Sequence, residues 1–217
     1  GHKGKSLSEV IGNVPAISMK GISKELPWPG SRCGWIEIYN ADRDPMFANY
    51  IKSIINAKMV EVCSTTLPQK AIPRVFEHPA YADHLMKRRK RYERFSEIGY
   101  GKLKDVPGIM VNQTNGAFYM TVVFEEGRIN LEQTLTIANP DVRELIESLT
   151  AKDKKMQPDK RFVYYLLGST GICVVPLTSF SSELQGFRVT LLETDEGKFT
   201  ETFDTLSRSI KQYLASA

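Results

Sequence analysis

Two short stretches carry the residues whose types and spacing could do chemistry. The first runs Gly21-Ile22-Ser23-Lys24 and is followed by Pro29-Gly30-Ser31-Arg32-Cys33-Gly34-Trp35. A lysine thus closes an apolar run (Val14 to Met19), and an arginine follows it in a Pro/Gly turn. A desolvated lysine amine loses its proton and attacks carbonyl carbon, so Lys24 is a candidate for a Schiff base with an aldehyde cofactor. The planar fork of Arg32 suits bidentate binding of a phosphate. Gly30 and Gly34 allow a tight backbone beside a ligand. A surface lysine and a structural arginine flanking a turn fit the same letters.

The second stretch is Gly186-Phe187-Arg188-Val189-Thr190, a strand pattern with an arginine inside it. Arg188 is a candidate for a carboxylate for the same bidentate reason. Taken alone, it also reads as a salt-bridged or snorkelling strand arginine. Phe118 and Tyr119 lie on another strand pattern and read as core aromatics.

In order and spacing these segments resemble class I/II (aspartate aminotransferase-like) enzymes, which depend on pyridoxal 5'-phosphate. Gly21, Ser23, Lys24, Arg32 and Gly34 match the family's lysine segment, with Gly21 where many members carry a serine. Three further segments match: Gly116 to Tyr119, Leu166 to Pro176 followed by Phe180, and Gly186 to Thr190. The resemblance covers about residues 15–215, apart from 126–158. It implies that Lys24 is catalytic and holds the cofactor, that Arg32 and Ser23 bind it, and that Arg188 takes the substrate's α-carboxylate. It implies amino-acid and 2-oxo-acid substrates, a homodimeric parent, and no metal.

The resemblance also sets the fold expectation: an α/β, fold type I arrangement, represented by its C-terminal part. Residues 1–77 are the remnant of the large cofactor-binding domain. A connecting helix covers 78–104, and 105–217 form the small C-terminal α/β domain. Residues 126–158 read as an insertion on that domain's surface. The family's aspartate for the pyridine nitrogen lies ahead of the lysine in an Asp-x-x-Tyr element. No aspartate precedes Lys24 here. The chain is therefore read as a fragment of an aminotransferase, itself inactive. Alternatives are another fold type I enzyme, a lyase or decarboxylase, or a cofactor-free aminotransferase-like binding module.

Composition is ordinary for a globular chain: 217 residues, 41% hydrophobic and 25% charged, with net charge +4. No apolar run approaches the ~18 residues of a membrane span. Three cysteines and three histidines show no metal-ligand spacing. A reducing, cytoplasmic setting is the simple inference. The run Lys87-Arg88-Arg89-Lys90-Arg91 could mark a nucleic-acid patch, but it lies in a helical pattern without a second basic cluster and reads as a solvated face. No nucleic-acid partner is expected.

Several elements must position these groups. Val14 to Met19 and Cys33 to Tyr39 read as strands, the first buried. Asp44-Pro45 starts a helix ending near Lys58. A short helix over Gln69–Phe76 is interrupted at Pro73. A long charged helix from about Ala80 to Leu103 is broken or bent near Gly99 and Gly101. Ala117 to Phe124, Ile172 to Val175 and Phe187 to Leu192 read as strands. Asn139-Pro140 starts another helix, Phe162 to Leu167 is helical, and the last helix carries Phe199, Phe203, Leu206, Ile210 and Leu214 on one stripe.

Overall fold

The computed structural model describes residues 4–153 and 155–216. It divides into two compact units that meet in sequence at Leu85 and Met86, inside one long helix.

The first unit begins with a one-turn helix, α1 (Leu7–Val10), closed by a Ser6/Glu9 capping box. Strand β1 (Ala16–Gly21) pairs antiparallel with β2 (Gly34–Tyr39), from Ala16 opposite Tyr39 to Gly21 opposite Gly34. Asn40, in left-handed conformation, donates from Nδ2 to the carbonyls of Gly12 and Val14, 2.9 Å each. That ties the exit of β2 to the entry of β1. The connection between the strands contains α2 (Ile22–Glu25) and a 3-10 turn over Pro29–Ser31.

Asp44 caps α3 (Pro45–Met59), accepting from the amides of Met46 and Phe47. Helix α4 (Thr66–Phe76) runs through Pro73 without a break. Proline removes one backbone bond, but burial of Pro68 and Ile72 anchors the turns that lead into it. An edge-to-face series of rings, Trp35 to Phe76 to Tyr81, joins β2 to the start of α5 (Tyr81–Leu103).

Strand β1 is not buried as its sequence predicts. Met19 is 84% exposed, and Ile36 and Ile38 across the hairpin are 40% and 38% exposed. With two strands only, one apolar face has nothing over it among the described residues.

The second unit is built on a four-stranded antiparallel sheet in the order β3-β4-β6-β5. These strands are β3 (Ile109–Val111), β4 (Tyr119–Phe124), β5 (Val175–Pro176) and β6 (Gly186–Thr190). Side chains alternate between the two faces of a strand. Met120, Val122 and Phe124 of β4 and Phe187 and Val189 of β6 are buried on the core face. Against them lie α7 (Pro158–Thr170) and α8 (Glu196–Leu214), through Phe162, Leu166, Phe203, Leu206, Ile210 and Tyr213. Phe95 of α5 stacks on Phe199 at 4.4 Å between ring centroids.

Several sequence expectations change here, and the strand read over Ile172 to Val175 is confined to Val175–Pro176. Helix α5 is unbroken through Gly99 and Gly101. Strand β4 starts at Tyr119, because Ala117 takes a left-handed backbone (φ 60). Residues 126–158 do not lie on the surface as an appendage. Leu135, Ile137 and Ile146, the last on α6 (Pro140–Lys152), are buried in the main core. Their apolar side chains fill interior volume, so this segment is structural.

The basic run occupies one turn and a half of α5. Lys87, Arg89 and Lys90 are exposed, while Arg91 lies over the ring of Tyr92 at 5.3 Å.

Candidate active site

Lys24, Ser23 and Arg32 all lie on the β1–β2 connection of the first unit. Ile22, fully buried, anchors α2, and the Leu26 and Trp28 amides donate to its carbonyl at 3.1 and 3.2 Å. This holds the exposed Lys24 at the last turn of a one-turn helix. Gly34 lets the strands close behind it. A Cβ there would sit 2.6 Å from the Lys20 carbonyl oxygen, so any side chain would force the hairpin apart.

Arg32 follows the 3-10 turn with φ 50 and ψ 45, a left-handed backbone that non-glycine residues rarely adopt. Such a conformation costs roughly 1–3 kcal/mol and clusters at binding and catalytic positions. The exposed guanidinium donates from Nη1 to the Pro29 carbonyl at 3.1 Å. No ion pair to Lys24 or Arg32 occurs among the described residues. Arg32 also lines a groove of about 300 Å³ with Gly34, Lys58, Ser64, Thr65 and Gln69. Lys24 is not on the wall of that groove.

Ser23 is half-buried. Its neighbour in the turn, Ser31, is buried and donates from Oγ to the Trp28 carbonyl at 2.7 Å, so it serves the turn itself. Glu37 on β2 has its carboxyl held below the usual range, first by the Tyr39 hydroxyl at 2.7 Å and then by the Trp35 indole N–H. It stays ionised and brackets β2.

Arg188 belongs to the second unit, on β6, directly opposite Thr121 of β4 and Val175 of β5. Strand alternation turns it away from the core face that Phe187 and Val189 occupy. Its guanidinium carbon lies 4.2 Å from the Tyr119 ring centroid and 4.3 Å from that of Phe180. Tyr119 is its diagonal neighbour across β4, and Phe180 ends a 3-10 turn over Leu177–Phe180. The cation lies between two aromatic faces. Among the described residues no carboxylate pairs with it. With both faces covered, the in-plane N–H groups are the part of the guanidinium left to meet a planar anion.

Tyr119 read from sequence as core packing, and Phe180 only as part of a matching segment. Both are shelves for Arg188. The strand register pairing Thr121 with Arg188 is the signal that would have found Tyr119. Nothing local marks Phe180.

The donor set of the first unit suits an aldehyde with an anionic tail: one exposed amine and one guanidinium without a carboxylate partner, on one connection. Among the described residues no cluster of His, Cys, Asp and Glu could hold a metal ion. No helix among them is long and apolar enough to cross a membrane.

Comparison with known families matches residues 2–205 to "Aminotransferase class I and II". An uncharacterized aminotransferase of Methanocaldococcus jannaschii is 56% identical over 214 residues, covering 99% of this chain and 49% of its own length. A tyrosine aminotransferase of Caenorhabditis elegans is 32% identical over 118 residues, 54% of this chain and 24% of its own. Among solved structures, an alanine aminotransferase from Pyrococcus furiosus superposes with a TM-score of 0.73 at 22% identity. It covers 97% of this chain and 46% of its own. The chain therefore spans about half the length of the relatives that match nearly all of it.

Proposed function

The chain belongs to the class I and II aminotransferase family, and on that premise we propose that it is part of a pyridoxal 5'-phosphate-dependent enzyme moving an amino group from an L-amino acid to a 2-oxo acid. When bound, the cofactor supplies an aldehyde carbon for amine exchange and a ring that takes up negative charge from the substrate's α-carbon.

This chain's residues do the rest. The Lys24 amine would hold the cofactor's aldehyde carbon, and as a free amine it would carry a proton to and from the substrate α-carbon. Arg32 grips the phosphate through the donors that Pro29 leaves free, and the Ser23 hydroxyl adds a hydrogen bond. Arg188 fixes the substrate α-carboxylate in its plane, which sets the direction of the α-C–H bond. The observation that carries this reading is the β1–β2 connection, which places an amine and a strained arginine with no carboxylate partner on one stretch of backbone. Since the chain spans 49% of its Methanocaldococcus relative, turnover is proposed for an assembly that contains more than these residues. The family's homodimeric state is part of the same proposal.

The test is covalent labelling. The chain is incubated with pyridoxal phosphate, reduced with borohydride, digested and mapped by mass spectrometry. Label on Lys24, absent in Lys24→Ala, is the expected result. Label on other lysines with Lys24 untouched would overturn the assignment.

A further inference from the structure

Asp159 is a carboxylate with no exposed surface, at the first turn of α7. Burying a charge is costly unless every lone pair finds a donor. Here it accepts three hydrogen bonds. The Thr178 hydroxyl donates to Oδ1 at 2.7 Å, and the Thr178 amide donates to Oδ2 at 3.0 Å. The Gly186 amide donates to Oδ2 at 3.4 Å. Among the described residues no cation pairs with it.

These donors have one thing in common. Thr178 lies in the 3-10 turn that ends at Phe180, and Gly186 opens the strand that carries Arg188. One buried carboxylate therefore ties the aromatic shelf and the arginine's strand to the same helix. Phe180 is 47% exposed and has little packing of its own to hold its ring at 4.3 Å from the guanidinium. We infer that Asp159 is a positioning residue for Arg188: it locks the Phe180 jaw, so that both guanidinium faces are covered and only its edge is offered to a planar carboxylate. The inference rests on the carboxylate role proposed for Arg188.

The experiment uses the full chain labelled with 15N-arginine, with the Arg188 Nε–Hε signal identified by its loss in Arg188→Lys. Two ring faces shift that proton upfield of exposed arginines. Phe180→Leu and Asp159→Ala should each move it toward the exposed position. Thr178→Val should move it part of the way. Asp159→Asn should leave it near the wild-type position. An amide can accept from both backbone N–H groups and donate to the Thr178 hydroxyl.

If Phe180→Leu moves the signal while Asp159→Ala leaves it in place, the inference fails. Should Asp159→Ala not fold, an unmoved signal in Thr178→Val overturns it equally. Titration with 2-oxoglutarate separates the two levels. Loss of the jaw should weaken 2-oxoglutarate affinity, read from the midpoint of this signal's titration, about fivefold, the scale of one cation–π contact. If 2-oxoglutarate leaves the wild-type signal unmoved, the carboxylate role of Arg188 fails, while the variants still decide what holds the jaw.

Discussion

The ring of Phe203 occupies the space that a side chain on residue 99 would need. A Cβ built on Gly99 would lie 2.8 Å from Phe203 Cε1 and 3.3 Å from the Met120 methyl. The glycine is there for close approach of α5 to α8, and the helix continues through it. Gly101 faces open space.

Two substitutions in one helix should therefore act in opposite directions. Gly99→Ala overpacks a closed core, at a cost of roughly 1–3 kcal/mol that exceeds the helix-propensity gain. Gly101→Ala collects that gain, about 1 kcal/mol, without a clash. Denaturant unfolding of both variants checks the signs. Stabilisation by Gly99→Ala would mean that Phe203 yields freely.

Arg32 offers a separation of binding from stability. Arg32→Leu should weaken pyridoxal phosphate binding by about 1.5–3 kcal/mol, the range of hydrogen bonds to charged groups, while leaving unphosphorylated pyridoxal unaffected. Arg32→Gly should lose the same binding yet keep or raise stability, because glycine adopts the left-handed conformation without a Cβ penalty. Equal losses for both ligands would place the effect away from the phosphate.

The Asp153–Lys160 ion pair, 2.7 Å long, joins the end of α6 to α7. The Lys160 ammonium, and after it the Lys155 amide, hold the Asp153 carboxyl below its usual range. Bonding to Asp153 likewise raises Lys160. A lowered carboxyl contributes stability above its unfolded value, about 3.9, and loses it as pH falls through the lower folded value. A raised lysine loses its contribution as pH rises through its folded value, above about 10.4. Asp153→Asn should thus lower the melting temperature at pH 7, with the difference from wild type shrinking at about pH 3 and below. Thermal melts at the two pH values measure it. A difference that persists undiminished in acid would contradict the pairing.

Met19 and Ile36 are directly paired on the open face of the β1–β2 hairpin. Exposed apolar surface of this kind promotes association. Met19→Lys combined with Ile36→Glu puts opposite charges at one cross-strand pair, which keeps the hairpin paired. Sedimentation over a range of concentrations should show less self-association than wild type. No change would place any association elsewhere on the chain.

Local signals were legible in the sequence. Asp44-Pro45 and Asn139-Pro140 mark helix starts by cap chemistry, and Phe199, Phe203, Leu206 and Ile210 mark the buried stripe of α8 by period alone. The amine and guanidinium of the candidate site were legible for a related reason: Lys24 and Arg32 lie on one short connection, and a loop's chemistry travels with its letters. The tertiary structure decided the rest. That Gly99 admits a ring instead of ending a helix depends on Phe203, far along the chain. That Arg188 lies between Tyr119 and Phe180, the latter on a turn that Asp159 bonds at Thr178, depends on strand register and on that turn's tie to a distant helix. Propensity and periodicity act over a few residues. Contacts of high sequence separation are selected by how whole faces pack, and no short stretch of sequence encodes that choice.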